Sequence, residues 1–344
     1  MTATALITGL SGTGLLPQES AFLARTRPCG IILFARNCVG HDQIRSLVTD
    51  ALKAIGSASV LVLIDQEGGR VQRLRPPLGR ALPPGAAYGQ LADADLAQAC
   101  RVAFDAARLV ADDLRALGIN TNCAPVLDLP VPGSHDIIGD RAYGSTVERV
   151  VALGQAVAAG YIAGGVLPVI KHIPGHGRAT ADSHLDLPVI TTPYPELSGT
   201  DFAPFRALAQ LPAAMTAHVV YGAIDGTGPA TTSARVVTSV IRKDIGFDGL
   251  LMSDDLSMKA LSGTIRERAE RSIAAGCDVV LHCNGDLAEM EAAAAGASAL
   301  TGLAAARFAR AFTITGSTQP FDRAAAEANL ASVLAVAATS RESL

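Results

Sequence analysis

The sequence predicts an α/β chain folded as a single (β/α)8, TIM-type barrel, and three observations carry that reading. Eight short apolar runs recur along it, at residues 5–9, 30–34, 60–64, 120–127, 166–170, 213–217, 249–252 and 278–281. They are rich in Val, Ile and Leu with little polar alternation, as strands buried on both faces of a parallel sheet are. Segments of helical period separate them, and strands alternating with helices are the pattern of a barrel. The chemically capable residues, finally, gather at one end of the runs. Asp65, Asp128, Lys171 with His172, His218, Asp254 with Asp255, and His282 with Asn284 all follow a run. Barrel enzymes place their active sites at the carboxyl ends of the strands. A single aspartate there reads as a helix cap, whereas six such ends together point to one shared pocket.

The elements follow in order. Residues 41–56 carry Ile44, Leu47, Val48, Leu52 and Ile55 on one helical stripe and stop at Gly56. Residues 96–118 repeat the stripe with Val102, Ala106, Leu109, Val110, Leu114 and Leu117, and residues 147–164 with Val150, Leu153, Val157 and Tyr161. Further helices are expected at 233–246 and 264–276, before the last two strands. The long interval between the third and fourth runs contains Pro76-Pro77 and Pro83-Pro84, an ordered excursion ahead of a long helix. Residues 302–344 are Ala-rich and read as packing helices of the same domain, which then spans 1–344 with no second sandwich domain. A doubly wound open sheet is the structural alternative. It would show a Gly-rich phosphate turn after the first strand, and the GLSGTG run at 9–14 has the wrong spacing for one.

Composition excludes several classes. Of 344 residues 49% are hydrophobic and 17% charged, which rules out a disordered chain. A net charge of −4 without any Lys/Arg cluster argues against nucleic acid or an anionic membrane surface as partner. The six cysteines form no C-x-x-C pair and read as small buried residues in a reducing compartment. Residues 1–20 lack Lys and Arg, and no run of eighteen apolar residues occurs. The expected location is cytoplasmic, with no obligate protein partner.

Residues 171–184 are the densest in chemistry and hold His172, His176 and His184, three of the seven histidines. Pro174, Gly175 and Gly177 prevent a helical H-x-x-x-H pair, and no metal is expected. The segment reads as a mobile loop that brings Asp182 and His184 over the pocket, with His176 an incidental histidine of an ordered surface loop. A carboxylate two residues from an imidazole can hold its tautomer and raise its basicity. With a further carboxylate from the Asp254–Asp255 pair, the set suits a two-step displacement through a covalent intermediate. Neighbours on an extended segment point to opposite faces, so only one of the two faces the barrel axis, and the residues alone do not choose which. Arg73, Arg141 and Lys171 would donate to the oxygens of a polar ligand. Trp is absent and only five Tyr are present, which favours a small pocket for one terminal sugar.

These residues sit in motifs that resemble the family 3 glycoside hydrolases. KHIPGHG at 171–177 with DSH at 182–184, and GFDGLLMSDDLSM at 246–258, carry the likeness. IDQEGGRVQR at 64–73, IGDRAYG at 138–144, ILFARN at 32–37 and MTAH at 215–218 extend it over nearly the whole chain. The likeness is specifically to the bacterial β-N-acetylglucosaminidases of peptidoglycan recycling. It implies Asp254 as nucleophile, His184 as acid/base and Asp182 as its partner. It implies Asp65, Arg73, Arg141, Lys171 and His172 as ligands of a terminal N-acetylglucosamine, with no cofactor and no metal. The implied substrate is N-acetylglucosaminyl-β-1,4-anhydro-N-acetylmuramic acid, with or without its peptide. The sequence departs from the pattern in reading Arg-Ala-Tyr at 141–143, where Arg-Ser-Phe is commoner, and in carrying His282 where an apolar residue is usual. Two other activities fit parts of the chain: phosphorolysis of the same bond, and a Schiff-base aldolase built on Lys171.

Overall fold

The computed structural model describes residues 2–183 and 186–342. Its barrel strands are β1 (Thr4–Gly9), β2 (Pro28–Leu33), β3 (Leu61–Ile64), β4 (Thr121–Asn122), β5 (Leu167–Pro168 continued by Ile170–Ile173), β6 (Ala213–Thr216), β7 (Leu250–Asp255) and β8 (Val279–His282). All the pairings among them are parallel. The sheet runs from Leu167–Pro168 through β4, β3, β2, β1, β8, β7 and β6 to Ile170–Ile173. Both ends of that order belong to β5, so the sheet comes round on itself. The seam is tied where Val169 N–H reaches Asn122 O at 3.0 Å and Leu127 N–H reaches Lys171 O at 2.7 Å. The strands are shorter than the apolar runs in places. Of residues 120–127, only Thr121 and Asn122 form regular strand, and β5 extends past its run to include Lys171 and His172.

Continuous apolar runs are explained by two cores on either side of each strand. Ile7, Leu61, Leu63, Leu167, Val169, Leu250, Met252, Val279 and Leu281 pack together inside the barrel. Their neighbours Leu6, Val62, Ile64, Ile170, Leu251 and Val280 pack outward under the helices. Side chains alternate across a strand, so a strand covered on both sides needs apolar residues at every position. Leu300, Phe308 and Ala311 belong to the inner core as well. Helix Gly302–Phe312 therefore helps to fill the barrel interior rather than only covering its flank.

The helices follow the predicted stripes. His41–Ile55 buries Ile44, Leu47, Val48, Ala51 and Ile55, and ends at Gly56 with φ +64°, a conformation that favours glycine. Leu96–Arg115 starts on Asp95, whose carboxylate accepts from Gln98 N–H at 2.9 Å. Ile265–Ala275 starts on a capping box of Thr264 and Glu267. The segment expected as an α-helix at 233–246 is instead a wider π-helix, Val236–Asp244, closed by Ile245 N–H to Val240 O at 2.8 Å. The excursion after β3 contains a small hairpin, Gln66–Gly68 against Val71–Gln72, then helix Gly85–Ala94. Among the described residues no helix is long and apolar enough to cross a membrane.

Candidate active site

A cavity of about 230 Å³ opens at the carboxyl ends of the strands. Its apolar lining includes Ile32, Met215 and Leu281, where the inner core of the barrel ends. Inward-facing Leu61 and Leu63 of β3 are followed at the same parity by Asp65, and Leu167 and Val169 of β5 by Lys171. Leu250 and Met252 of β7 are likewise followed by Asp254. Alternation thus aims three ionisable side chains into the cavity from three strands.

One wall is a buried ion cluster. Lys171 Nζ lies 2.9 Å from Asp65 Oδ1 and 2.6 Å from Glu67 Oε1. Arg73 donates to the other oxygen of Asp65 at 2.9 Å, and Arg141 grips Glu67 with two bonds of 2.9 and 2.8 Å. Burial alone would raise the pKa of both carboxyls. Lys171 and Arg73 outweigh it at Asp65 and hold that group well below the usual carboxylate range. Arg141 and Lys171 do the same at Glu67 and hold it near about 2. Burial likewise disfavours charge on Lys171, yet Asp65 and Glu67 raise its pKa above that of an ordinary lysine. A Schiff-base nucleophile needs a neutral amine, so this environment opposes the aldolase reading. Arg70 secures the cluster's edge by donating to Asp140 at 2.8 Å and to the carbonyls of Ile137 and Ile138 at 2.8 and 3.1 Å. That holds the turn Gly139–Arg141 in place.

A second wall is organised by Asp128, which is fully buried. Its Oδ2 lies 2.6 Å from His172 Nδ1, and its Oδ1 accepts the backbone N–H groups of His172 and His176 at 3.2 and 2.7 Å. A carboxylate bonded in this way fixes the orientation of an imidazole, here His172 at the cavity wall. His176 is a correction to the sequence reading. It is not on the surface but 2% exposed and against the cavity, its ring 5.7 Å from that of His172 and its Nε2 3.0 Å from Ser183 Oγ. The KHIPGHG turn explains how it gets there. Gly175 has φ +142°, and a Cβ on Gly177 would lie 1.9 Å from Leu129 O, so only glycine lets the chain pass this close.

The two neighbouring aspartates on β7 both line the cavity, with different hydrogen bonds. The oxygens of Asp255 accept from Ser257 N–H at 3.0 Å, Cys283 N–H at 3.1 Å and the Ser257 hydroxyl. His218, read as a pocket residue, lies behind this corner, with Nε2 3.0 Å from Asp255 O and Nδ1 2.7 Å from Thr231 Oγ1. Asp254 accepts from Asp255 N–H at 2.8 Å and presents its carboxylate to the cavity. Of the strand-end groups, Asp65, Lys171, His172, Asp254 and Asp255 line the cavity, and Asp128 and His218 brace it from behind. His282 turns aside to Glu289, 3.1 Å away, and Asn284 bonds the same carboxylate. Asp182 is half-buried, its carbonyl accepting Asp186 N–H at 2.9 Å, and Ser183 lines the cavity. His184 lies outside the described residues.

Glu67 and His176 had no role assigned from sequence. Glu67 sits two residues after Asp65, and that i, i+2 spacing on an extended segment was the available signal. His176 had no comparable signal, because its burial depends on Leu129 and Asp128, which are remote in sequence. The guanidinium of Arg73 also stacks on Phe34, 4.9 Å from the ring centroid, and Arg36 stacks on the same ring at 4.9 Å.

A model of the glycosyl hydrolase family 3 N-terminal domain matches residues 16–313. The beta-hexosaminidase of Alkalilimnicola ehrlichii is 44% identical over 283 residues, which cover 81% of this chain and 80% of that protein. The beta-hexosaminidase of Bordetella pertussis is 40% identical over 284 residues, with 81% and 80% covered. Among solved structures, NagZ from Neisseria gonorrhoeae in complex with N-trifluoroacetyl-D-glucosamine is similar with a TM-score of 0.86 at 33% identity. That likeness covers 98% of this chain and 99% of the gonococcal one. A family 3 β-N-acetylglucosaminidase from Paenibacillus is similar with a TM-score of 0.79 at 31% identity, but this chain covers only 61% of it, against 97% of itself. With its barrel, its cavity and these relatives in agreement, the chain belongs to glycoside hydrolase family 3, among the β-hexosaminidases.

Proposed function

We propose that the chain is a retaining exo-β-N-acetylglucosaminidase working through a covalent glycosyl-aspartate. The observation that carries this reading is the parity of β7, which brings Asp254 into the cavity. Both aspartates line the cavity, but Asp254 continues the inward parity of Leu250 and Met252 along β7, opposite the Asp65–Arg73–Lys171–Glu67–Arg141 cluster, while Asp255 is tied to the backbone N–H groups of Ser257 and Cys283. In the first step Asp254 attacks the anomeric carbon, and His184, oriented by Asp182, gives its proton to the departing oxygen. In the second step His184 takes a proton from water, which hydrolyses the glycosyl ester and frees Asp254. Asp65, Arg73, Arg141, Lys171 and His172 bind the hydroxyl and acetamido oxygens of the terminal sugar. The cavity's size suits one sugar ring. The N-acylated glucosamine in the gonococcal relative supports an N-acetylglucosamine there. The substrate is N-acetylglucosaminyl-β-1,4-anhydro-N-acetylmuramic acid, free or peptide-bearing, in the cytoplasm.

The test is mechanism-based trapping with 5-fluoro-N-acetylglucosaminyl fluoride followed by peptide mass analysis. The label is expected on Asp254, and Asp254→Ala is expected to abolish turnover of an aryl β-N-acetylglucosaminide. Full activity in that variant, or a label elsewhere, overturns the reading.

A further inference from the structure

We propose that His176 is a positioning residue whose imidazole grips Ser183 and so fixes the root of the segment that bears Asp182 and His184. The inference rests on the reading of His184 as acid/base. His176 itself is anchored by its backbone. Its N–H donates to Asp128 at 2.7 Å, its carbonyl accepts Ala179 N–H at 3.1 Å, and the glycines on either side pack against Asp201 and Leu129. From this fixed post Nε2 reaches Ser183 Oγ at 3.0 Å, and both residues are buried. A buried imidazole and hydroxyl cost free energy unless they bond. Here the cost is partly uncompensated, because His176 Nδ1 is buried with no partner among the described residues. A residue present only for packing would be apolar. Burial, and after it the neighbouring His172, push the ring down to about 4, so at neutral pH it is uncharged, with one donor and one acceptor nitrogen.

The position of Ser183 gives the bond its use. It directly follows Asp182, and successive Cα atoms are about 3.8 Å apart, so holding Ser183 restricts where Asp182 can lie. Asp128 holds His172 and His176 together. The sugar-facing wall and the post that grips the acid/base segment therefore share one anchor.

The experiment compares kcat/KM for two glycosides. One is an activated aryl glycoside whose leaving group departs without a proton, and the other an alkyl glycoside whose leaving group needs one. Both are measured in wild type, Ser183→Ala, His176→Phe, the double variant and His184→Ala, with thermal melts alongside. Each single variant is expected to lower the alkyl-to-aryl ratio by about three- to tenfold, the worth of one neutral hydrogen bond. The double variant is expected to do no more than either single one, because both remove the same bond. An unchanged ratio in folded Ser183→Ala, or additive losses, overturns the inference. Should His176→Phe fail to fold, Ser183→Ala decides alone. An unchanged ratio in His184→Ala sinks the acid/base reading and the inference with it. A collapse there beside an unmoved ratio in Ser183→Ala sinks the inference only.

Discussion

Replacing Glu67 by Gln probes the ion cluster most directly. Glu67 is 7% exposed and sits between Arg141, which is 9% exposed, and Lys171, which is 3% exposed. The cluster pairs three cations, Arg73, Arg141 and Lys171, with two carboxylates, Asp65 and Glu67. Glutamine keeps one acceptor but turns an amide N–H toward a guanidinium or an ammonium, and it removes one of the two negative charges. Breaking a buried pair from one side costs about 3–5 kcal/mol. The lowered pKa of Glu67 points the same way. Glu67 is held near about 2 from an ordinary 4.5, and at about 1.4 kcal/mol per pH unit that amounts to about 3 kcal/mol. For a chain of this size the melting temperature is expected to fall by about 6 °C at pH 7. The sign of the pH dependence follows from the lowered pKa. The stabilisation is complete above pH 4.5 and is lost as pH falls toward about 2, so the gap between variant and wild type narrows in acid. Thermal melts of both proteins at pH 7 and at about pH 4 measure this. A variant melting within about 1 °C of wild type at pH 7 would refute the view that this cluster is a strongly coupled part of the fold.

Two further outcomes follow from the same geometry. Gly177→Ala puts a Cβ 1.9 Å from Leu129 O. It is expected to lower stability by about 3 kcal/mol or more, whereas Gly12→Ala, with nothing within 4 Å, should melt like wild type. Burial holds the pKa of His218 below that of an ordinary histidine and brings His176 from 6.5 to about 4. The unfolded chain therefore binds protons that the folded one refuses. Stability is expected to be level above pH 6.5 and to fall below it, by up to about 1.4 kcal/mol per pH unit for each histidine, with the His176 contribution ending at about 4. Melts over that range in wild type and His176→Phe check it, and a flat wild-type profile would count against neutral, buried rings.

Periodicity was the most readable feature of the chain. Strands covered on both faces must be apolar throughout, and helices covered on one face must show a stripe, so the barrel and the helix at His41–Ile55 are visible in the residues. The same property hides the site's handedness. Because β7 is apolar on both faces, nothing in its sequence tells which parity faces the axis, and Asp254 could not be separated from Asp255 by pattern alone. The π-helix at Val236–Asp244 was equally hidden, since its apolar spacing also fits an α-helix.

Residue order was thus enough to specify a closed parallel barrel, the end of it where polar chemistry collects, and the motifs that tie it to its family. Which groups meet is a different matter, because it depends on contacts between segments far apart in the chain. Asp65 and Glu67 lie about a hundred residues from Lys171 and more than seventy from Arg141, and their charge states exist only because the closed sheet buries them together. His176 moved from presumed surface to buried wall for the same reason. A carbonyl at Leu129 and a carboxylate at Asp128 receive that turn, and local propensity carries no record of either.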